Sequence, residues 1–215
     1  MAYLKVHSFT LSNNKIKKLE RETFRQFVDL NNNKVTILKN NTFYGLTNLI
    51  CIILHENIIT NIEQNAFHSL RSLRTLYLQN NLIKSINRGV LNQLGNMSTL
   101  RLSHNNIGML EDGTFEGCKS LTNLYLDNYI ITRIDAHAFA PFRGLQNLLS
   151  VYLSHNKLVE IDFAFFNKTS RLTGLYINSN YIRMVKNSFS RGLPNLLKLD
   201  MGNNKMMSLK DTVFV

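Results

Sequence analysis

Apolar residues recur along the chain at fixed intervals, and this repeat is the strongest signal in the sequence. Residues 73–86 fit the frame LxxLxLxxNxIxxI, and residues 97–110 follow the same apolar pattern. The second apolar residue of the LxL element marks each unit, and the usual interval between these anchors is 24 residues. The anchors are Leu11, Leu30, Leu54, Leu78, Leu102, Leu126, Leu153, Ile177 and Met201. A period of this length predicts a solenoid of about nine stacked units.

Two units depart from the regular length. The interval that follows Leu11 is 19 residues, and the interval that follows Leu126 is 27. The short unit, around Phe24 to Leu30, lacks the residues that would carry its first leucine, so we expect local strain there. The long unit has three extra residues near Arg143 to Leu148, which form a candidate loop.

Each LxL element predicts a short β-strand. Alternate side chains of a strand point to opposite faces, so the two apolar residues face inward and the residue between them faces outward. Equivalent strands of stacked units pair in parallel, about 4.8 Å apart, and build one curved sheet. The return segments, such as residues 63–67, are too short for full helices and predict loops or short helical turns on the convex side.

An asparagine follows the strand at the same position of almost every unit. Its amide can donate to and accept from backbone groups of neighbouring turns that would otherwise be buried without partners. The column consists of Asn14, Asn33, Asn57, Asn81, Asn105, Asn156, Asn180 and Asn204. Tyr129 takes this position in the sixth unit, with Asn128 out of register, so the sequence predicts a local weak point there.

A second column is aromatic and predicts a phenylalanine spine in the core. Its spacing returns each ring to the interior once per unit, and Leu91 is the substitution that interrupts it. The rings belong to Phe24, Phe43, Phe67, Phe115, Phe139, Phe166, Phe189 and Phe214.

These columns resemble the typical 24-residue leucine-rich repeat of extracellular proteins, such as Toll-like receptors, glycoprotein-hormone-type receptors and small matrix proteoglycans. The resemblance spans about residues 6–214. It implies an α/β repeat fold, a leucine-rich-repeat solenoid shaped as a curved horseshoe, with one domain over residues 1–215. It also implies a non-enzymatic module that recognises a protein, as the ligand-binding ectodomain fragment of a receptor.

Recognition in such a scaffold is expected on the concave face, where strands present side chains that the core does not need. The outward column contains four tyrosines and an arginine, residue types that dominate protein–protein hot spots. Asp127 and Asp200 lie nearby and are candidates to orient a basic ligand group. The predicted ligand-binding residues are Tyr77, Arg101, Tyr125, Asp127, Tyr152, Tyr176 and Asp200. The alternative is that tyrosine is frequent here because it suits half-buried strands.

The formal net charge of +11 favours an anionic partner. The positive excess lies on the lateral flank just after the asparagine column, where Glu160 is the opposing carboxylate. A basic stripe of this kind is suited to glycosaminoglycan or nucleic acid, and the alternative is a solvated face that keeps the chain soluble. The candidate polyanion-binding residues are Lys15, Lys17, Lys18, Lys34, Lys84, Arg133, Lys157, Arg183 and Lys205.

The remaining chemistry is sparse. Sequons at Asn40, Asn96 and Asn167 fall in predicted loops and permit glycosylation. Cys51 and Cys118 are three units apart, too far for a disulfide, and are expected to be buried thiols. His104 and His155 lie two units apart and are interpreted as turn residues, so no metal is predicted. Without a phosphate loop, nucleophile elbow or paired carboxylates, neither an enzyme nor a small-molecule cofactor is predicted.

The ends and the context leave several alternatives open. The chain has no apolar leader and no membrane span, and cysteine-rich caps are absent from both ends, which suggests a fragment of a longer protein. We therefore expect an extracellular or cell-surface setting, membrane contact only through a segment outside this chain, and end-to-end association of the isolated chain. A matrix or structural protein, and a cytosolic scaffold, are the competing interpretations.

Overall fold

A computed structural model describes residues 9–18, 27–127, 130–139, 145–186 and 193–208. Its main feature is one sheet of nine parallel strands in the order β1-β2-β4-β6-β7-β9-β11-β13-β15. The strands in chain order are β1 Phe9–Thr10, β2 Phe27–Asp29, β3 Ile37–Leu38, β4 Cys51–Ile53, β5 Asn61–Ile62, β6 Thr75–Tyr77, β7 Thr99–Arg101, β8 Met109–Leu110, β9 Asn123–Tyr125, β10 Arg133–Ile134, β11 Ser150–Tyr152, β12 Glu160–Ile161, β13 Gly174–Tyr176, β14 Met184–Val185 and β15 Lys198–Asp200. The predicted solenoid, with one strand of a parallel sheet in each unit, is confirmed.

The register of the sheet places equivalent residues of successive units side by side. In β6 and β7, for example, Leu76 pairs with Leu100 and Tyr77 pairs with Arg101. From β2 to β11, every strand of the sheet is buried at its middle residue and half-exposed at its first and third residues. The sheet therefore has an apolar inner face and an open outer face, which is the concave face of the solenoid.

Three small parallel sheets flank the main one, and the sequence pattern did not predict them. They pair β3 with β5, β8 with β10, and β12 with β14. Each of these short strands ends on a buried or half-buried residue at the last apolar position of the frame LxxLxLxxNxIxxI, such as Leu38 or Ile62. Beyond them, the described part of the convex side consists of turns and the 3₁₀ helix Phe163–Phe166, which is capped by the carboxylate of Asp162. This agrees with the predicted loops and short helical turns.

The phenylalanine column forms the core opposite the sheet. Phe43 stacks on Phe67 with ring centroids 6.1 Å apart, and Phe115, Phe139 and Phe166 form a continuous stack. All five rings, and Leu91 in the same column, are buried. The predicted spine is confirmed for these residues, whereas Phe24, Phe189 and Phe214 lie outside the described residues.

The asparagine column joins each unit to the one before it. Asn81 shows the pattern: its Nδ2 donates to the carbonyl oxygens of Leu78 and Leu54, and its Oδ1 accepts from the Ile59 N–H. Equivalent bonds connect Asn33, Asn57, Asn105, Asn156, Asn180 and Asn204 to their neighbours. One amide thereby satisfies three backbone groups per turn, which is why the position is so regularly occupied.

The residue that precedes the column asparagine adopts a left-handed backbone conformation, and in four units this residue is itself an asparagine. Positive φ angles of 49° to 60° occur at Asn13, Asn32, Glu56, Asn80, His104, His155, Ser179 and Asn203. Asparagine tolerates this conformation better than most side chains. His104 and His155 are therefore turn residues, as the sequence interpretation had them.

Several expectations fall on parts of the chain that lie outside the described residues. They are the weak point at Asn128 and Tyr129, residues 19–26 of the short unit, and residues 140–144 of the long unit. Leu145 and Leu148, at the end of the long unit, are buried in the core. Among the described residues, no helical segment has the length and apolar character of a membrane span.

The two cysteines differ in environment. Both are free; Cys118 is buried as expected, but Cys51 is only partly buried because it occupies an outward position of β4. Burial raises the pKa of Cys118 to about 12, and burial together with Asp29 raises the pKa of Cys51 to about 11. Both thiols are therefore protonated at neutral pH and are poor nucleophiles.

Candidate functional site

The predicted tyrosine column forms a continuous stack on the concave face. The rings of Tyr125 and Tyr152 lie 4.5 Å apart at an interplanar angle of 2°, and those of Tyr152 and Tyr176 lie 4.6 Å apart at 4°. These separations are close to the spacing of adjacent strands, so one ring from each of β9, β11 and β13 fits the sheet without distortion. The register of the repeat thus creates the stack.

Cations extend the stack at both ends. The guanidinium carbon of Arg101 lies 5.4 Å from the centre of the Tyr77 ring and 4.5 Å from that of Tyr125. The Lys198 ammonium lies 5.1 Å from the centre of the Tyr176 ring. Distances below about 6 Å allow cation–π attraction. We call this series the concave ladder, and its members are Tyr77, Arg101, Tyr125, Tyr152, Tyr176 and Lys198.

Arg101 occupies an unusual position in the concave ladder. Its Nε is buried and has no hydrogen-bond partner, and its side chain donates no hydrogen bond within the described residues. The two Nη groups are not among the buried, unpaired atoms, so they keep some contact with solvent. A guanidinium held between two rings with its outer edge exposed is ready to bind an acceptor on a ligand.

Small residues beside the rings determine how closely they lie on the sheet. Ser150 and Gly174 are the first residues of β11 and β13, and a Cβ on Gly174 would lie 3.2 Å from the Tyr176 ring and from the Ser150 hydroxyl. The Tyr176 ring therefore lies over the column that contains Ser150 and Gly174. Burial raises the pKa of Tyr152, and the adjacent phenols of Tyr125 and Tyr176 add to the effect. The Tyr152 hydroxyl therefore stays protonated at neutral pH.

The stack offers ring edges and hydroxyls to a ligand rather than ring faces. Both faces of Tyr152 are covered by tyrosines, and both faces of Tyr125 are covered by Arg101 and Tyr152. Base stacking by a single-stranded nucleic acid requires free ring faces, so the interior of the concave ladder does not provide a stacking platform. Hydrogen bonding and edge contacts remain, and these suit a protein surface.

The two predicted acidic residues lie at the ends of their strands and already have structural partners. Asp127 accepts from the Ser154 N–H at 3.0 Å, and Asp200 accepts from the Gly202 N–H at 3.1 Å. Burial raises the pKa of Asp127, an effect that the Ser154 bond and two nearby histidines oppose. The Asp127 carboxylate thus joins its unit to the next one, whereas Asp200, at the Lys198 end of the concave ladder, holds the turn after its own strand.

The predicted basic residues are exposed on the flank, but they do not form one continuous stripe. The position directly after the column asparagine reads Lys15, Lys34, Ile58, Leu82, Asn106, Ile130, Lys157, Tyr181 and Lys205. Four uncharged residues in succession therefore separate an N-terminal group of lysines, with Lys17 and Lys18, from a C-terminal group with Arg183. Lys84 lies alone beside the uncharged units.

The ion pairs of the flank differ from those that the sequence predicted. Glu160 was expected to be the opposing carboxylate, but Arg133 pairs with Asp135 at 3.0 Å, while Glu160 pairs with Lys186 at 2.6 Å. Both pairs are exposed and therefore contribute little to stability. Arg133 is thus the one flank candidate, among the described residues, that has an ion-pair partner.

The three sequon asparagines are exposed, as their placement in turns predicted. Asn96 donates through Nδ2 to the Arg71 carbonyl at 2.7 Å, a contact that joins neighbouring units. Asn40 uses its Oδ1 to accept from Asn65 N–H, which leaves the amide nitrogen for modification. Within the described ranges, no group of three metal-ligating side chains comes together.

Comparison with known proteins supports the repeat interpretation. The family model "Leucine rich repeat" matches residues 26–83, 51–107, 71–129 and 95–158, which together cover more than half of the chain. No curated protein matches by sequence.

Solved structures share the architecture. A crystal structure of TLR13 in complex with ssRNA13 matches with a TM-score of 0.81 and 25% identity, covering 88% of this chain and 27% of that chain. The protein LIC12759 of Leptospira interrogans matches with a TM-score of 0.77 and 23% identity, covering 95% of this chain and 50% of that chain. The present chain thus spans about a quarter of the first match and half of the second.

Proposed function

Because the chain belongs to the leucine-rich repeat family, we propose that it is a non-enzymatic recognition module that binds a protein ligand on its concave face. The observation that carries this proposal is the concave ladder, an unbroken series of tyrosines and cations from β6 to β15. The inner face of the sheet already supplies the core, so these outward side chains are available for a partner. The ligand is a protein that meets phenolic hydroxyls and one guanidinium.

The stack also lowers the cost of binding. Side chains that are free in solution lose rotamer entropy when a ligand immobilises them, at about 0.5–1.5 kcal/mol each. Tyrosines that already stack on their neighbours have lost much of this freedom before the ligand arrives. The concave ladder is thus a preorganised surface whose central residues, Tyr125 and Tyr152, are the expected hot spots.

Removal of the two central rings tests this function. The double variant Tyr125→Ala with Tyr152→Ala is expected to weaken binding by about 2 kcal/mol or more, roughly 30-fold, while the chain stays folded. The ligand is first selected with the wild-type chain from a displayed library of extracellular proteins, and dissociation constants are then measured by calorimetry. Circular dichroism monitors the fold.

A matched control comes from the convex side, where Tyr44 and His68 form an exposed stacked pair with centroids 6.5 Å apart. Replacement of both by alanine removes two stacked rings far from the sheet, so the affinity should remain at the wild-type value. Equal affinity of the concave double variant and the wild type, or equal losses in both double variants, would count against the concave site.

We further propose that the chain belongs to the ectodomain of a cell-surface receptor, with a secreted matrix protein as the alternative. Similarity to TLR13 supports the receptor assignment. Expression of the full-length gene product in a secretory host should give glycans at Asn40 and Asn167, whose side-chain Nδ2 atoms make no hydrogen bond within the described residues, and lower occupancy at Asn96. Peptide mass spectrometry measures this, and an unmodified cytosolic product would point to a cytosolic scaffold instead.

A second candidate function is polyanion binding by the flank. Two observations favour it: the flank lysines are exposed, and TLR13 was crystallised with an RNA. Attraction between surface charges is screened by salt, so retention on a heparin column that falls steeply with salt is the expected signature. The interruption of the lysine column after Lys34 implies that binding is local rather than continuous along the solenoid.

A further inference from the structure

The C-terminal half of the flank contains a cavity that the concave site does not use. It is open to solvent, has a volume of about 360 Å³ and is lined by Lys157, Tyr181 and Lys205, together with His155, Ser179, Asn203 and two asparagines of the column. The first three residues each follow the column asparagine in three successive units, so the repeat itself brings them together. A cavity of this size falls at the lower end of the range for small-ligand sites.

The charge of the cavity is positive and is not neutralised from within the described part of the chain. Both lysines are exposed, neither takes part in an ion pair among the described residues, and none of the lining residues is a carboxylate. The flank carboxylate Glu160 is held by Lys186 instead. The lysines are thus available to an external anion.

The cavity also places an aromatic side chain between its two lysines, which binding of a simple anion would not require. Successive units are about 4.8 Å apart, so the backbones that carry the two lysines are about 10 Å apart, with Tyr181 between them. The Tyr181 side chain is 50% exposed. The polar residues Ser179 and Asn203 also line the cavity. A flat aromatic surface between two cations, with polar groups beside it, matches a ring-shaped ligand that bears anionic groups on both sides.

From this arrangement, we propose that the cavity binds a short sulfated oligosaccharide. The sulfate groups contact Lys157 and Lys205, and the apolar face of one sugar ring packs on Tyr181. The inference deepens the second candidate function and rests on it, but it is independent of the concave site. A long nucleic acid fits less well, because its backbone needs a positive groove to follow, and the position after the column asparagine is uncharged in the four units that precede Lys157. The candidate flank cations of those units are Lys84 and Arg133, and Arg133 is paired with Asp135.

The test uses the whole chain and a heparin-derived hexasaccharide as the probe. The variant Lys157→Gln with Lys205→Gln, which removes the two charges of the cavity, is expected to raise the dissociation constant about tenfold or more, and Tyr181→Ala to raise it severalfold. The matched control, Lys15→Gln with Lys34→Gln, loses the same charge at the equivalent position of the two N-terminal units. It should stay within about twofold of the wild type if the cavity is the site.

Three results would overturn the proposal, and they differ in whether they also exclude polyanion binding by the flank. Equal losses in the cavity variant and the control would show diffuse attraction to the flank, which leaves polyanion binding but no cavity site. No binding of either the hexasaccharide or an oligonucleotide of equal charge at physiological salt would remove the second candidate function as well. Tighter binding of a single-stranded oligonucleotide of equal charge, lost in the cavity variant, would assign the cavity to nucleic acid.

Discussion

Replacement of Phe139 by alanine is expected to lower the free energy of unfolding by about 3–5 kcal/mol. The ring is buried and stacks on Phe115 at 5.8 Å and on Phe166 at 4.8 Å, so the substitution opens a cavity in the middle of the spine. The free energy of unfolding of natural domains is only about 5–15 kcal/mol, so this loss is a large fraction of it. Urea denaturation followed by circular dichroism measures the change.

The control for the spine is Tyr44→Ala. Tyr44 is also aromatic and also belongs to a turn of the convex side, but it is 57% exposed. Surface substitutions of this kind usually change stability by less than about 0.5 kcal/mol. If Phe139→Ala and Tyr44→Ala had similar effects, the phenylalanine column would not be the core of the solenoid.

Replacement of Asn105 by alanine is expected to cost about 3 kcal/mol or more, a large effect for a small polar side chain. Its Nδ2 donates to the carbonyl oxygens of Leu78 and Leu102, both at 2.9 Å, and its Oδ1 accepts from the Ile83 N–H at 3.0 Å. The variant leaves these buried groups without partners, and each unsatisfied group costs about 1–3 kcal/mol. The same denaturation experiment gives the change.

The adjacent residue provides the control for the asparagine column. Asn106 is exposed, and its side chain makes no hydrogen bond within the described residues, so Asn106→Ala should leave the free energy of unfolding nearly unchanged. A small effect of Asn105→Ala, or an equal effect of Asn106→Ala, would mean that the column does not hold the turns together.

Periodicity allowed the fold to be predicted because it fixes which side chains face inward. Each unit has alternating apolar residues in its strand, one asparagine and one phenylalanine. These residues occupy equivalent places in every turn. Sequence reasoning did not find the three small flanking sheets, since strands of two residues such as β3 leave no alternating pattern. It also missed the left-handed residue before each asparagine, although the frequency of asparagine at that position was a signal.

The residues of the candidate site could be predicted from the sequence, but the stacking of their rings could not. The outward position of each strand identified Tyr77, Arg101 and the following tyrosines, and the sheet brings them together. Whether these rings would lie apart or stack depends on side-chain rotamers, which spacing does not determine. Lys198 was missed as a member of the ladder because it precedes its strand's anchor by three residues, whereas the tyrosines precede theirs by one.

The basic flank shows where counting residues misleads. Nine cations on one side suggested a stripe, but position within the stack matters more than number. The units of Ile58 and Leu82 interrupt the lysine column, and Arg133 forms an ion pair with Asp135. Three equivalent positions of the last units instead form a cavity, which no single motif of the sequence indicated.

Hydrogen–deuterium exchange with the selected protein ligand tests recognition by the concave ladder most directly. Binding there should slow amide exchange in peptides that contain β6, β7, β9, β11 and β13, and leave the convex turns around Tyr44 unchanged. The mass shift of each peptide, with and without ligand, gives the footprint. Protection confined to convex turns, with the strands that carry Tyr125 and Tyr152 unaffected, would contradict the account.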